Sequence, residues 1–245
     1  KKNIINSIFE NFKTIIFALV IAIIIRSLIF QPFYIPSSSM EPTLLIGDRI
    51  FVSKYKYGFS KHSFPFSPNI FNERIFYKSP NQGDLVVFKT PVDNRTDYIK
   101  RLIALPGDEI QFVEGEIFIN NKKIIRKKIN TNTYVRCGKI SFNVNVFEET
   151  LPNGKKYIAV YNKAGTLQNT KKFEIPKDHF FFLGDNRDCS KDSRFLSSVG
   201  YVHKDNLVGK AQFIFFSSDR SKGSIFSFWK WKNSIRIDRF FKKIN

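Results

Sequence analysis

The pattern of apolar positions changes character once along this chain, near residue 30. Residues 14–30 read TIIFALVIAIIIRSLIF, and from Thr14 to Ile25 there is neither a charge nor a helix breaker. A run of that length is near the lower limit for crossing a hydrocarbon core about 30 Å thick. Arg26 falls near its end, where a long side chain reaches the headgroup layer. Lys1, Lys2 and Lys13 precede the run, so the positive-inside rule predicts a cytoplasmic N-terminus with the rest of the chain outside. Residues 1–30 thus read as a short tip and an uncleaved transmembrane anchor. A cleaved signal peptide shares the basic-then-apolar order, but no small-residue cleavage site follows; the chain runs into Arg26 and then Gln31-Pro32. A buried core helix is the other alternative, and near-complete apolarity weighs against it.

Beyond residue 30 the period is that of strands. Asp48–Tyr55, Leu85–Lys89, Tyr98–Ile103, Lys156–Tyr161, His179–Leu183 and Leu207–Phe216 are rich in β-branched and aromatic residues. Ile110–Val113 and Glu116–Asn120 flank Gly115 and predict a hairpin. Breaks fall at Pro80, Gly83, Pro91, Pro106, Gly107, Pro152, Gly154 and Gly184. The fold class is mainly β, an antiparallel β-sheet body behind one N-terminal transmembrane helix. Residues 121–178 are polar and Lys/Asn-rich, with no evident catalytic cluster. Residues 58–79 hold Phe59, Phe64, Phe66, Ile70, Phe71 and Phe76 among turn formers. The C-terminus sets Phe226, Phe228, Trp229, Trp231, Phe240 and Phe241 among Lys and Arg, a mixture suited to a membrane interface; a core-packing helix is the alternative.

Composition refines this picture in two ways. The 245 residues include 40 Lys+Arg against 21 Asp+Glu, a net charge of +19, which favours anionic partners such as acidic phospholipids. The basic residues are scattered rather than gathered in one arm, which argues against nucleic acid. Cys137 and Cys189 lie far apart, with no CxxC and no metal spacing; free thiols are expected, and a disulfide in an oxidising compartment is the alternative. There is no HExxH, P-loop or GxGxxG. Asp188, Ser190 and Asp192 alternate as in a calcium loop, but the expected Gly is missing and Val199 stands where the last Glu belongs. No metal and no cofactor are expected.

Four segments carry candidate chemistry: PSSSMEPTL at 36–44, GDRIFVSKYKYG at 47–58, DYIKRLIALPGDEI at 97–110 and GDNRDCSKDSR at 184–194. A serine nucleophile needs a base to take its proton. His62 lies in the aromatic loop, His179 precedes an apolar strand and His203 follows Gly-Tyr-Val, so none sits in a recognisable Ser-His-Asp context. Lysine is the other candidate. Its ordinary pKa is about 10.4, and lowering it by about three units takes about 4 kcal/mol of differential stabilisation, which burial supplies. Lys100 suits that role, with Tyr98 and Leu102 on its own strand face and Arg101 on the opposite one. An edge-strand lysine with a solvated tip fits the same pattern. The pattern also leaves Ser37, Ser38 and Ser39 equivalent.

These four segments, in this order behind an anchor that exits through RSLIFQPFYIP (26–36), resemble the boxes of bacterial type I signal peptidases. The resemblance covers about residues 14–110 and 180–216. It implies a signal-peptidase-like β fold, with a catalytic β domain over 31–110 and 179–245 and an inserted β subdomain over 111–178. It implies Ser39 as nucleophile, Lys100 as general base, and an oxyanion hole from the Ser39 backbone N–H and the Ser37 hydroxyl. Ser190 would bond the Lys100 amine, Asp192 and Arg194 would pair and brace the site, and Arg101 would support it. Phe33, Ile35, Pro36, Met40, Leu44, Ile50, Val87 and Ile99 would line shallow apolar pockets for an Ala-X-Ala pattern. The implied partners are signal peptides of exported preproteins, an anionic phospholipid membrane and the protein translocation channel. The implied location is the bacterial inner membrane, single-pass, with the catalytic domain on the outer face. Three positions depart from the family pattern: Ser38 and Ala104 stand where Gly is common, and Cys189 occupies a variable position close to the site, where a free thiol would make the enzyme thiol-sensitive. Alternatives are a pilin-maturation or repressor-type Ser/Lys peptidase, or a membrane-tethered basic binding module without catalysis.

Overall fold

The computed structural model describes residues 2–65, 67–68, 73–138, 140–162, 168–219, 221–223 and 228–244. Of the aromatic and apolar residues noted above, Phe66, Ile70, Phe71 and Phe226 lie outside the described residues. The chain opens with α1 (Lys2–Leu28), whose apolar stretch Phe9–Leu28 has a mean hydropathy of 1.9 and only 6% of its residues buried. A core helix would be covered on at least one face, so that alternative fails. The helix is longer at its start than residues 14–30 suggested, because Phe9 and Phe12 continue the apolar surface. It stops at Leu28 because Phe30–Tyr34 (β1) pairs with Asp48–Ser53 (β2), and Pro32 within β1 is incompatible with a helix interior. Pro32 is tolerated because β1 is the edge strand.

The main sheet is antiparallel. β1 and β2 are followed in space by Leu207–Ser217 (β14), Leu85–Lys89 (β3), Asp97–Ala104 (β4), His179–Leu183 (β12) and Val202–His203 (β13), with Lys242–Lys243 (β15) also on β14. β14 bends to serve both ends, and its register slips at three places along β2 and β3, as bulged strands do when they curve. Gly209 lies at one of them, where a Cβ would meet Ser53 O at 2.4 Å. One core face packs Met40, Leu44, Ile50, Val87 and Val208 beneath the β1–β2 connection. The other packs Val86, Phe88, Leu102, Phe180, Phe182 and Leu207. The residues between β1 and β2 are therefore held from below by fully buried side chains.

Two smaller sheets complete the body. Glu109–Val113 (β5), Glu116–Ile119 (β6), Lys122–Lys123 (β7) and Phe173–Glu174 (β11) form one, and the hairpin expected around Gly115 is the β5–β6 pair. Ile125–Cys137 (β8), Ile140–Thr150 (β9) and Lys156–Tyr161 (β10) form the other. The polar stretch that looked unrelated to any site thus folds into a long hairpin. Its closing end is bonded covalently to the main body: Cys137 and Cys189 form a disulfide across a Cα–Cα distance of 5.5 Å. Sequence spacing gave no hint of this pairing, because β8 must first be laid beside residues 184–194. The thiol sensitivity expected of a free Cys189 does not apply to the paired residue. The only other α-helix among the described residues is α2 (Trp231–Ser234).

Between the small sheet and the main body lies a buried ionic knot. Glu149 and Arg187 are each about 1% exposed and bond at 2.6 Å, with the Tyr157 hydroxyl donating to Glu149 at 2.6 Å and the Tyr161 hydroxyl donating to its other oxygen. Removing one charge of such a pair strands the other in a dry interior, at a cost of about 3–5 kcal/mol. Glu149→Leu is therefore expected to lower the thermal midpoint of the detergent-solubilised chain strongly, and Glu149→Leu/Arg187→Met to recover much of the loss. A double variant no more stable than the single one would show that the charges do not act as a pair.

Candidate active site

Ser39 sits in the tight connection that leaves β1 and enters β2. Its neighbour Met40 and the following Leu44 are fully buried and pull the turn onto the core. From the top, three polar contacts fix it. Asn186 N donates to Ser39 O at 3.1 Å, Asn186 Nδ2 to Ser38 O at 3.2 Å, and Thr43 Oγ1 to Asp185 Oδ2 at 2.5 Å. The end of β12 comes this close because residue 184 is glycine. A Cβ there would lie 2.5 Å from Ser39 O and 2.2 Å from Ser190 Oγ.

Lys100 reaches the same point from β4, where it stands opposite Val86 of β3. It is 2% exposed, and its Nζ lies 2.5 Å from Ser39 Oγ, in hydrogen-bond contact. The Tyr98 ring, on the same strand face, has its centroid 5.4 Å from the amine. Burial pulls the amine down to about 8, against the opposing pull of the Asp192 and Asp185 carboxylates. At that value about a tenth of the molecules carry the free base at pH 7. The solvated edge lysine that the strand pattern also allowed is not what forms. Ser37 Oγ lies 3.4 Å from Ser39 Oγ. No histidine joins them: His62 Nδ1 pairs with Ser67, His179 Nδ1 with the Lys177 carbonyl, and His203 Nδ1 with Asp205 N.

The buried acids are each matched to a guanidinium. Arg194 Nε donates to Asp192 Oδ1 at 2.8 Å and its Nη2 to Oδ2 at 3.0 Å, as the GDNRDCSKDSR box implied. Burial by itself would raise the Asp192 pKa, but the Arg194 charge and the Gly184 amide outweigh it and hold the carboxyl below its ordinary value. Arg101 supports the site through a different acid. Its Nε and Nη2 each donate at 2.8 Å to Asp185, on the strand face turned away from Lys100. Ser190 differs from expectation. Its hydroxyl is buried beside Asp192, whose ionised form it favours, and it makes no hydrogen bond to the Lys100 amine. The amine's close contact is with Ser39 instead.

A cleft of about 420 Å³ opens over Ser39 and Lys100, and Phe33, Ile35, Pro36, Met40, Ile50, Val87 and Ile99 line it. Leu44 does not; it is fully buried beneath the turn that carries Ser39. Tyr34, Thr96, Asp97, Tyr98, Cys189 and Lys191 line the cleft as well. Sequence reasoning missed Thr43, Asp185 and Asn186, although all three lie inside the boxes that drew attention. The β8 end was missed for want of any signal: Arg136 N donates to Glu41 Oε2 at 2.8 Å, and its carbonyl accepts from Asn186 Nδ2 at 3.3 Å. Among the described residues no group of three His, Cys, Asp or Glu side chains is placed to hold a metal.

Known proteins resemble this chain over nearly its whole length. The family model described as signal peptidase, peptidase S26, matches residues 8–216. Signal peptidase I of Rickettsia typhi is 42% identical over 254 residues, covering 96% of this chain and 93% of the relative. Signal peptidase I of Rickettsia prowazekii is 42% identical over 253 residues, with the same coverage. A solved signal peptidase I from Enterococcus faecalis aligns with 54% of this chain and 97% of its own, at 23% identity and a TM-score of 0.31. The reading as a binding module without catalysis falls with these matches. The chain belongs to the signal peptidase family, peptidase S26, and is a serine endopeptidase that cleaves signal peptides.

Proposed function

We propose that cleavage runs through Ser39 as nucleophile and Lys100 as general base; the observation that carries this reading is the 2.5 Å contact between a serine hydroxyl and an amine that is 2% exposed. Ser39 Oγ attacks the scissile carbonyl carbon while its proton passes to the unprotonated Lys100 Nζ. The resulting oxyanion is held by the Ser39 N–H and the Ser37 hydroxyl. The Ser39 N–H donates to no protein group among the described residues, so it is available for this task. Collapse breaks the C–N bond, Lys100 returns the proton to the leaving amine, and the acyl group stays on Ser39. Water then attacks the ester, giving its proton to Lys100, which passes it to Ser39 Oγ as the acid departs. Arg101, Ser190, Asp192 and Arg194 position this pair without touching the reacting atoms.

The cleft walls support a substrate of Ala-X-Ala type. Ile35, Met40, Ile50 and Val87 are almost wholly buried and cannot retreat, so a large side chain would meet packed core. The peptide lies extended beside β1, an edge strand able to accept one more partner. α1 serves as a single-pass anchor in the bacterial inner membrane, with the N-terminus cytoplasmic and the body outside. Lys1, Lys2 and Lys13, which precede the uncharged run that starts at Thr14, support that orientation. The Cys137–Cys189 disulfide does too, since such bonds persist outside the reducing cytoplasm. Phe228 and Trp229, 66% and 77% exposed near the C-terminus, suit contact with anionic lipid. Preproteins reach the cleft as they leave the protein translocation channel.

Three measurements test the mechanism on a preprotein in detergent. Ser39→Ala and Lys100→Ala are each expected to abolish cleavage while leaving the circular dichroism spectrum unchanged; full activity in either defeats the assignment. Ser37→Ala is expected to lower kcat by about 10²–10³-fold, the usual cost of one oxyanion donor, with little change in KM. Because the free amine is the active form, kcat/KM should rise with pH along a unit-slope limb that levels near the Lys100 value of about 8. A limb levelling near 10.4, the ordinary lysine value, would mean that the amine is not desolvated.

A further inference from the structure

A second cavity, of about 590 Å³, lies next to the cleft and shares Phe33 and Asp97 with it. Its chemistry is different. Arg26, Lys54, Lys89 and Arg95 line it, and its acids are Asp93 and Asp97. Both acids are already engaged. Asp97 pairs with Lys89 at 2.9 Å. Asp93 accepts from the Thr90 and Thr96 hydroxyls and from the Arg95 and Thr96 amides.

Three cations are left without a carboxylate. Lys54 is 2% exposed, and the one hydrogen bond of its amine among the described residues goes to Ser63 O at 2.5 Å. An ammonium has three donors, so a buried one with a single acceptor is under-satisfied. Burial, with the Arg26 charge adding to it, draws the Lys54 amine down to about 8 against the pull of Asp97, with which it forms no ion pair among the described residues. The Arg26 and Arg95 guanidinium groups are exposed to the cavity mouth and have no hydrogen bond or ion pair among the described residues. Gln31, Ser67 and Asn94 add neutral polar groups to the wall. A phosphate with part of its headgroup fits such a volume.

Position identifies the anion. Arg26 is in the last turn of α1, two residues before the apolar stretch ends at Leu28. If α1 spans the bilayer, that turn lies at headgroup depth, where phosphodiesters are the abundant anions. We infer that this cavity seats the phosphate of an anionic phospholipid headgroup, clamped by Arg26, Lys54 and Arg95. The inference rests on the anchoring reading above and adds a defined lipid site on the reverse of the cleft wall formed by Phe33.

The test is native mass spectrometry of the full chain in detergent, titrated with phosphatidylglycerol, with phosphatidylcholine and with inorganic phosphate. One phosphatidylglycerol adduct should be retained in preference to phosphatidylcholine. Arg26→Gln/Arg95→Gln should weaken it at least about tenfold without changing the phosphatidylcholine background. Lys54→Met should do the same; since it replaces a buried side chain, its thermal midpoint is compared with that of the parent, and the arginine pair carries the test if the fold is disturbed. Unchanged phosphatidylglycerol retention in the arginine pair, or equal retention of the two lipids, would overturn the site. Displacement of the lipid by millimolar inorganic phosphate would overturn the lipid assignment. Alkaline extraction of membranes separates the two layers of the argument: a chain retained in the membrane but without lipid preference sinks this inference alone, and a chain released into solution sinks the anchoring reading with it.

Discussion

Burying an amine disfavours its charged form, and the desolvation of Lys100 is the constraint around which the site is arranged. Apolar surroundings would be enough if no acid were near. Here two carboxylates, Asp185 and Asp192, lie close enough to pull the amine back towards its ammonium form. Each is paired with its own guanidinium, Arg101 and Arg194 respectively. The arginines therefore act at a distance: they absorb the field of the acids, so that exclusion from water decides the protonation of Lys100. The acids in turn are needed for their backbone and hydroxyl contacts, Asp192 to the Gly184 amide and Asp185 to Thr43.

The position of Ser39 follows from packing from below and polar contacts from above. Met40 and Leu44 fill the core under the β1–β2 connection, and the Asp185-Asn186 pair holds it from the end of β12. Neither set would suffice alone. Apolar contacts fix depth but slide easily, whereas hydrogen bonds to the Ser38 and Ser39 carbonyls fix direction. The groups that set the separation of Ser39 and Lys100 come from the β1–β2 connection, β4 and the segment after β12, all distant in sequence.

Much of this was legible in the sequence, for identifiable reasons. The anchor and strands β2, β3, β4, β12 and β14 of the main sheet show their period directly, because one face or all faces of each are apolar, whereas the short strands β1, β13 and β15 gave no such signal. Lys100 was a candidate because Tyr98 and Leu102 flank it at strand spacing, but that pattern suits a solvated edge lysine as well, and the family resemblance is what selected it. The choice among Ser37, Ser38 and Ser39 was not legible from pattern, since three identical side chains in a turn differ only in where the chain points them. Strands β8 and β9 were hidden by their composition: much of their surface faces solvent, so Lys and Asn occupy positions that otherwise mark loops. Leu44 was placed in the cleft because it lies inside a box, yet box membership does not say which way a side chain turns. Arg101 was expected to support the site; it pairs with Asp185, an acid that its strand face, not its sequence neighbourhood, selects.

The bond between Cys137 and Cys189, 52 positions apart in sequence, closes a loop of chain that holds β9, β10 and β12 as well as the Asp185-Asn186 pair. A ring of that size removes freedom chiefly from the unfolded chain. It also ties the fate of its parts together. The long hairpin cannot peel away and leave the residues that hold Ser39 behind, because the same covalent circuit runs through both. Loosening at the outer sheet is felt at the serine, and order at the serine is passed outward to strands whose own composition would scarcely hold them.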